Sequence, residues 1–514
     1  MATATVRRAE GPPEQDDGRL RRRVVEILNR HPAVGLALGV IRGGRLESFQ
    51  GHGLADLESG RPITVDTAFR IGSVTKLFTA VAVMQLWERG LVDLDAPANE
   101  YLRAFRLRPA RRGFRPVTIR HLLTHTSGIP DVRRPFDLLH FDWGPFEGRP
   151  PLLSVPIGEP LPTLAEYYRA GLTSVVEPGM AFAYSNHGFA TLGQMVEDVS
   201  GLPLDRYLRE HIFDPLDMDT SDLRRSRRIV GRLATGYVLG RGGPEPVPDR
   251  DWIGAGGGGI YSTSADIGRF VTFLLDPRAG GGGRTVLRPA TLATMLQPQW
   301  RTDERVTSIG LGFFLNTVGG HRLAGHEGIL PAFNSQLLIA PDDGIGVVAF
   351  TNGSNGAMSW LPAEVTGLIL DLLGLPEPRV RSDVSAHPEV WPDICGRYRL
   401  PPRIADLRGR MAMGRGAEVY VHGGRLMVRI LTPIPALRRS FELHPDDESD
   451  PLVFRIDPFE ARMQTFRVVF ARGHDGDVVA AHTDLGWQPL SLVRSRTTRS
   501  RTASAIRPPR LIRP

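Results

Sequence analysis

The chain contains very little cysteine: one residue, Cys395, among 514. A single cysteine cannot form a disulfide within the chain or build a cysteine-based zinc site. The sequence also lacks a run of about 18 apolar residues, the length that crosses a membrane. Its first residues show no apolar segment of the kind that a signal peptide has. We therefore expect a cytoplasmic protein with no membrane partner, no metal site and no cofactor.

Lysine is equally rare, and its one occurrence is informative. Lys76 is the only lysine, whereas the chain has 62 arginines. It follows Ser73 by three residues, in a segment over 73–89 whose apolar spacing predicts a buried helix. Side chains three positions apart share one face of a helix. Lysine can serve as a base where arginine cannot, because a guanidinium keeps its proton. The pair therefore predicts a hydroxyl nucleophile beside an amine base.

The net charge of +7 is concentrated at one end of the chain. Residues 494–514 carry seven arginines and no acidic residue, so the rest of the chain is neutral. A neutral body with a basic, proline-containing tail predicts a solvated tail and no nucleic-acid partner.

Composition and hydrophobic patterning divide the chain into unlike parts. Up to residue 376, helical and strand-like segments alternate; beyond it the sequence reads as short strands separated by turns, with nothing that looks helical. Residues 131–162 read as a long loop, either an ordered cover over a pocket or a packed insertion. The predicted parts are a disordered tail (1–19), a hydrolase domain (20–376), a linker (377–388), an all-β domain (389–494) and a basic disordered tail (495–514).

Two further segments offer partners for Ser73. Acyl transfer needs a proton shuttle, a donor for the substrate and N–H groups for the oxyanion. Tyr184 and Asn186 supply a phenol and an amide two residues apart. The segment Gly325-His326-Glu327-Gly328 supplies a cation-capable group and a close approach of the backbone.

Other chemistries fit the sequence less well. His121 and His125 have the spacing of two metal ligands on a helix, but no Glu follows His121 as in His-Glu-x-x-His, and we expect His125 to be structural. The glycine runs lack the Gly-Lys-Ser/Thr of a P-loop. There is no Gly-x-Ser-x-Gly, which argues against an α/β-hydrolase.

Taken in order, these motifs resemble the serine β-lactamase and penicillin-binding protein superfamily, in its class C-like branch with D-aminopeptidases and esterases. The resemblance implies an α+β fold in which an antiparallel sheet is flanked by helices and joined by an all-α region. After Ile394-Cys395-Gly396-Arg397-Tyr398 it implies a small all-β, lipocalin-like domain. The matching segments are 69–76, 122–128, 184–186, 213–218, 234–237 and 325–328.

The resemblance also implies a role for each candidate residue. Ser73 would attack a carbonyl and form an acyl-enzyme, with Lys76 and Tyr184 sharing the duty of general base. Asn186 would hold the substrate amide. The oxyanion hole would consist of the backbone N–H groups of Ser73 and Ile329.

The motif Gly325-His326-Glu327-Gly328 differs from the corresponding motif of many family members. His326 stands where β-lactamases and carboxypeptidases place the lysine of Lys-Thr-Gly, and Gly328 matches the glycine. This departure favours a serine hydrolase for a small ester or amide, with a D-amino-acid-containing peptide as one candidate substrate. Two alternatives stay open: a non-catalytic binder or sensor on the same fold, and a β-lactamase or DD-carboxypeptidase. Ala332 stands where relatives often carry glycine.

Overall fold

The structure is a computed structural model. It describes residues 14–132, 153–278, 285–377, 379–401, 410, 413–433, 438–457, 465–484 and 488–495. Most of the predicted loop over 131–162, most of the N-terminal tail and nearly all of the basic tail therefore lie outside the described residues.

Helices and strands alternate up to residue 372, and strands dominate after it. The helices are α1 Glu14–Arg30, α2 Thr75–Glu88, α3 Ile119–Leu123, α4 Leu164–Tyr167, α5 Asn186–Ser200, α6 Leu204–Leu208, α7 Arg227–Val230, α8 Ala255–Gly258, α9 Ser264–Leu275, α10 Pro289–Met295, α11 Ala357–Leu372 and α12 Trp391–Ile394. The strands are β1 Gly35–Arg42, β2 Arg45–Asp56, β3 Arg61–Pro62, β4 Ala68–Arg70, β5 Leu107–Pro109, β6 Ser154–Pro156, β7 Leu172–Ser174, β8 Gly236–Gly240, β9 Gly243–Val247, β10 Arg250–Trp252, β11 Tyr261–Thr263, β12 Ser308–Ile309, β13 Phe314–Val318, β14 His321–Leu330, β15 Phe333–Ala340, β16 Ile345–Thr351, β17 Gly396–Arg399, β18 Ala417–His422, β19 Arg425–Ile430, β20 Ser440–Glu442, β21 His444–Pro445, β22 Val453–Ile456, β23 Phe466–Arg472, β24 Val478–Thr483 and β25 Leu490–Arg494.

An eight-stranded antiparallel sheet forms the centre of the first unit, in the order β12-β13-β14-β15-β16-β1-β2-β3. Its first hairpin turns at Gly43-Gly44, as the sequence predicts. The last strands of the unit, β14 to β16, return beside β1, so chain segments far apart in sequence share one sheet.

Each face of this sheet packs against different helices because side chains alternate along a strand. From β1, Leu36, Leu38 and Val40 enter a core with α1 and α11, which contributes Trp360. Ala37 and Ile41 point to the other face, where the larger core contains α2 and α9. Burial on both faces explains why β1 reads as a continuous apolar run.

Helix α2 lies at the centre of the larger core. Every residue from Thr75 to Leu86 is buried, Lys76 among them. A helix that is apolar all round belongs in the interior. This burial fixes the position of the segment just before it, which carries Ser73.

The second unit is a nine-stranded antiparallel sheet in the order β20-β19-β18-β17-β25-β24-β23-β22-β21. Its two edge strands are β20, which ends at Glu442, and β21, which begins at His444. Because only one residue separates them, the edges come together and the sheet curls into a nearly closed barrel. Its core holds Tyr398, Phe454 and Phe470. The predicted fold class is thus confirmed for both units.

An arginine-centred contact joins the two units. The Arg305 guanidinium donates to Asp450 of the second unit at 2.6 Å and to the Phe470 carbonyl at 3.3 Å. In return, Arg467 donates to the Arg305 carbonyl at 3.3 Å. Val306 packs beside these bonds against Val453 and Val469.

Two local predictions were wrong. Helix α1 begins at Glu14, inside the segment predicted to be disordered up to residue 19. A 3-10 turn at Pro388–Val390 followed by α12 adds helical structure after residue 376. Helix α12 is one turn long with Pro392 in its first turn, where the missing proline N–H costs no hydrogen bond. So short a helix has no periodic pattern to detect.

Candidate active site

Ser73 lies in a single 3-10 turn, Gly72–Val74, directly before α2. The backbone of Ile71, just before this turn, is held by a hydrogen bond on each side. The Ser335 hydroxyl of β15 donates to the Ile71 carbonyl at 2.7 Å, and the Ile71 N–H donates to the Ile260 carbonyl at 3.1 Å. Ser73 is thus held at the junction between α2 and the large sheet.

Two glycines allow the turn to approach β14. Gly72 has a φ of +50°, in the left-handed region, and a side chain there would come within 3.0 Å of the Ile329 nitrogen. A side chain on Gly328 would overlap the Ile71 carbonyl and the Ser335 hydroxyl. The Ile329 backbone nitrogen therefore lies against the segment that carries Ser73.

Lys76 is fully buried and surrounded by oxygen atoms. Its Nζ lies 2.9 Å from Ser73 Oγ, 2.7 Å from Asn186 Oδ1 and 2.6 Å from the Gly257 carbonyl oxygen. It also lies 4.9 Å from the centre of the Tyr184 ring. An ammonium has three N–H donors, and here three acceptors surround it.

One of these acceptors comes from the glycine run that forms α8. The Gly257 carbonyl faces Lys76, and the neighbouring Gly256 carbonyl accepts a hydrogen bond from Thr79 one turn further along α2. Two successive carbonyls thus fix α2 in place. Sequence reasoning considered the glycine runs only in order to exclude a P-loop, and gave this one no part in the site.

Asn186 is held by a carboxylate that sequence reasoning missed. Asp131 accepts from the Asn186 backbone N–H at 2.5 Å and from its Nδ2 at 2.7 Å. Asp131 is buried, at 3% exposure. Because Asn186 Oδ1 faces Lys76, Asp131 sets the direction in which this amide points. The one indication in the sequence was that Asp131 directly follows the turn Ser127-Gly128-Ile129-Pro130.

A buried histidine extends this arrangement away from Ser73. His187 Nδ1 lies 2.7 Å from the Tyr168 hydroxyl, and its Nε2 lies 3.2 Å from the Asp131 carbonyl oxygen. Sequence reasoning gave His187 no direct role. The structure places it behind Asp131, where it fixes the backbone that carries this carboxylate.

Tyr184 is placed by an aromatic stack. Its ring lies 4.3 Å from the ring of His125, nearly parallel to it. His125 has a φ of 55°, and its Nδ1 accepts a hydrogen bond from the Ser185 N–H at 3.0 Å. His125 therefore supports the Tyr184 segment structurally, as the sequence predicts.

His326 enters the same region from β14, but not as a cation. Burial, reinforced by the positive charge of Lys76, lowers the pKa of His326 to about 3, against the effect of its hydrogen bond to the Glu327 carbonyl. Its Nδ1 lies 2.6 Å from that carbonyl oxygen and donates to it. Its Nε2 is buried and has no hydrogen-bond partner among the described residues. The sequence suggested a cation-capable group; the structure shows a neutral ring with an acceptor nitrogen.

The structure thus brings all the predicted residues to one region. Ser73, Lys76 and Asn186 are joined by hydrogen bonds, Tyr184 packs beside Lys76, and β14 approaches through the segment from His326 to Ile329. In the described part of the chain, no three His, Cys, Asp or Glu side chains cluster as metal ligands. Nor is any helix of that part long and apolar enough to span a membrane.

Comparison with known proteins identifies the family. A sequence profile described as Beta-lactamase matches residues 20–388. The chain belongs to the beta-lactamase family of serine hydrolases. This range contains every residue of the site described above, and it ends where the second unit begins.

Individual family members resemble different lengths of the chain. Penicillin-binding protein 4 of Amycolatopsis lactamdurans is 29% identical over 381 residues, which cover 71% of this chain and 92% of that protein. Esterase EstB of Burkholderia gladioli is 36% identical over 242 residues, 44% of this chain and 56% of the esterase. Both fall within the predicted superfamily; the narrower class C-like branch stays a prediction.

A solved structure shares the fold over nearly the whole chain. The octameric penicillin-binding protein homologue from Pyrococcus abyssi superposes with a TM-score of 0.58 at 23% identity, over 93% of this chain and 100% of that one. Coverage of this extent includes the β-rich second unit as well as the family domain. At this level of identity the likeness concerns the fold alone.

Proposed function

We propose that this serine hydrolase cleaves a small ester or amide through a covalent acyl-enzyme on Ser73. The observation that carries the proposal is the 2.9 Å separation of Lys76 Nζ and Ser73 Oγ, inside a fully hydrogen-bonded set. A nucleophile within hydrogen-bond reach of a base that is itself oriented by further groups is the signature of covalent catalysis.

The surroundings of Lys76 suit both protonation states that a base passes through. As an ammonium, it donates to Ser73, Asn186 and Gly257. As a neutral amine, it keeps its two N–H bonds to Asn186 and Gly257, and its lone pair faces the Ser73 hydroxyl. Ser73 Oγ then bonds to the carbonyl carbon while its proton passes to this amine or to Tyr184, the second candidate base.

The negative charge that develops on the substrate oxygen needs donors close to Ser73. We assign this role to the backbone N–H groups of Ser73 and Ile329, because the Ile329 nitrogen lies against Gly72. Such donors typically contribute about 10²- to 10³-fold in rate. The leaving group takes up the proton, and water then releases the acyl group by the reverse sequence.

The neutral state of His326 narrows the substrate class. With a pKa of about 3, this ring carries no positive charge near neutral pH. It therefore supplies no cation for a substrate carboxylate, and Nε2 is an acceptor for an N–H or O–H group instead. This supports esters, amides and D-amino-acid-containing peptides over β-lactams and DD-carboxypeptidase substrates.

We also propose that residues 20–376 and 389–494 are separate domains joined by a linker at 377–388. The two sheets share no strand, and their hydrophobic cores are distinct among the described residues. The reaction steps above use residues of the first domain only.

The proposal is tested with a fluorophosphonate and a set of chromogenic substrates. We expect a stable adduct on Ser73 by peptide mass spectrometry. We also expect turnover of p-nitrophenyl esters, and nitrocefin hydrolysis at a much lower kcat/KM. Comparing D- and L-alanine p-nitroanilides shows whether amides are cleaved and which enantiomer is preferred.

Each alternative function gives a different result. A protein that binds substrates without adduct or turnover would be the non-catalytic binder. Preferential hydrolysis of nitrocefin would mean a β-lactamase. An adduct on another serine would overturn the assignment of Ser73.

A further inference from the structure

One loop of the first unit, residues 301–307, is held by the second unit; we call it the docking loop. In the described part of the chain, the hydrogen bonds that leave this loop all involve Arg305. Its guanidinium donates to Asp450 at 2.6 Å and to the Phe470 carbonyl at 3.3 Å, and its own carbonyl accepts from Arg467 at 3.3 Å. All three partners belong to the second unit.

The apolar side chain next to Arg305 packs in the same direction. Val306 is 5% exposed, and it forms a small cluster with Val453 and Val469 of the second unit. Burial of an apolar side chain stabilises more than a partly exposed ion pair does. We therefore expect Val306 to supply most of the attachment, whereas Arg305 fixes its geometry.

The two ends of the docking loop are joined to each other at its base. Trp300 donates its backbone N–H to the Ile309 carbonyl at 3.1 Å, and Ile309 donates to the Trp300 carbonyl at 2.8 Å. Because these bonds close the loop, a displacement of its tip acts on this pair of residues.

The base of the loop lies against the segment that leads to Tyr184. The Trp300 indole N–H donates to the Gly179 carbonyl at 3.3 Å, and the Trp300 ring lies 6.1 Å from the ring of Phe182. Trp300 is 1% exposed, so its ring has little room to move. The position of this segment thus depends on the position of Trp300.

Tyr184 itself belongs to the cluster that the base forms. Tyr184, Phe314, Trp300 and Ile309 make up a small hydrophobic cluster of their own. The rings of Tyr184 and Phe314 are nearly parallel, with their centres 6.5 Å apart. The same tyrosine ring lies 4.9 Å from Lys76 Nζ. Tyr184 therefore contacts both the base of the docking loop and the amine of the active site.

We propose that the second unit positions Tyr184 for catalysis by holding the docking loop, with Arg305 and Val306 as the positioning residues. The inference rests on the proposed function, because it concerns a group of the Ser73 site. Packed interiors transmit displacements, and a catalytic group displaced by about 1 Å can lower a rate about 100-fold. The second unit thereby contributes to the rate of the chemical step.

The test is a double-mutant cycle in the full-length protein, with pre-steady-state acylation by p-nitrophenyl acetate as the readout. Tyr184→Phe keeps the ring and removes only the hydroxyl. If Arg305 acts through the position of that hydroxyl, its effect disappears once the hydroxyl is gone. We expect Arg305→Ala to lower the acylation rate by about 10-fold, with little change in KM, and to have almost no effect in the Tyr184→Phe background.

Variants of the second unit show whether the effect comes from docking. Asp450→Asn leaves the docking loop unchanged and should lower the acylation rate less than Arg305→Ala, because the bond to the Phe470 carbonyl remains. Asp450→Glu should restore much of this loss. As a control, Arg472→Ala removes a partly exposed arginine of the second unit that pairs with Asp393 and makes no contact with the docking loop. Its acylation rate should equal that of the parent.

A second pair of measurements keeps the test independent of any one variant. Val306→Ala weakens the packing without changing charge, and its loss of acylation rate should also disappear in the Tyr184→Phe background. Thermal melting confirms that each variant is folded. If Arg305→Ala does not fold, the same cycle is measured with Asp450→Asn.

Three results would overturn the inference: parent-like acylation by the docking variants, equal losses with and without the Tyr184 hydroxyl, or an equal loss in Arg472→Ala. Failure of the proposed function looks different. In that case the parent protein forms no adduct on Ser73 and releases no p-nitrophenol.

Discussion

The two sides of the active site differ in how their polar groups are satisfied. On the helical side, Lys76, Asn186 and Asp131 form an unbroken set of hydrogen bonds that ends at Ser73. On the strand side, His326 Nε2 is buried without a partner among the described residues. Buried polar atoms usually have partners. The contrast indicates that the chemical machinery is preorganised, whereas the strand side awaits a ligand that donates hydrogen bonds.

The strongest test of the helical side removes the nucleophile. Ser73→Ala should lower kcat by at least about 10⁴-fold, because loss of a nucleophilic serine abolishes the covalent route. Ester hydrolysis and fluorophosphonate labelling measure the loss. The melting temperature should stay close to that of the parent, since only an oxygen atom is removed. A variant that keeps most of its turnover would mean that the contrast between the two sides has no bearing on catalysis.

The next largest effect is expected when Lys76, the proposed base, is replaced by arginine, which keeps the positive charge. Lys76→Arg should lower the acylation rate by about 10²- to 10⁴-fold, the usual contribution of a general base. A guanidinium cannot accept the Ser73 proton, and its planar shape does not match the three acceptors around Nζ. Acylation should be followed across pH beside Tyr184→Phe. Near-normal acylation by the arginine variant would show that Lys76 acts as a fixed charge, with Tyr184 as the base.

A smaller effect is expected when Asp131, the carboxylate that holds Asn186, is changed. Asp198 provides a matched control. Asp131→Asn replaces one acceptor by a donor, so Asn186 loses one of its two bonds and shifts relative to Lys76. We expect kcat to fall by about 10- to 100-fold, as for a small misplacement of catalytic groups, with less change in KM. Asp198→Asn affects a carboxylate that also caps a backbone N–H, at Arg103, but does not touch the site. Equal losses of acylation rate in both variants would reduce Asp131 to a general stabilising role.

The smallest expected effect is on the pH dependence of the stability of the fold, through His326 on the strand side. The unfolded chain protonates His326 near 6.5, whereas in the folded protein its pKa is about 3. Burying this neutral ring therefore makes the fold less stable as the pH falls below 6.5, and full stability is present above it. His326→Gln should flatten this part of the melting-temperature profile. Titration of the ring near 6.5 by NMR would contradict a neutral His326 and would remove one unpaired acceptor from the comparison.

Short-range patterns made much of this site predictable. Ser73 and Lys76 are three residues apart on a helical path, and the hairpin at Gly43-Gly44 follows from its two turn residues. The strands of the second unit alternate and are bounded by turns, so the all-β character of this unit was readable. In each case the physical cause lies within a few neighbouring residues.

The remaining features depend on contacts that no local pattern encodes. Asp131 meets Asn186 because a turn folds back onto the start of α5, and Gly257 reaches Lys76 because α8 packs across α2. The neutral state of His326 follows from complete burial, not from its residue type.

The single buried lysine has a practical consequence for handling the protein. Reagents that react with side-chain amines, such as succinimidyl esters or amine-directed cross-linkers, have one ε-amine to find, and its side chain has 0% exposure. The folded surface therefore offers these reagents no lysine side chain. Any reagent that does modify Lys76 reports that the interior of the site has opened.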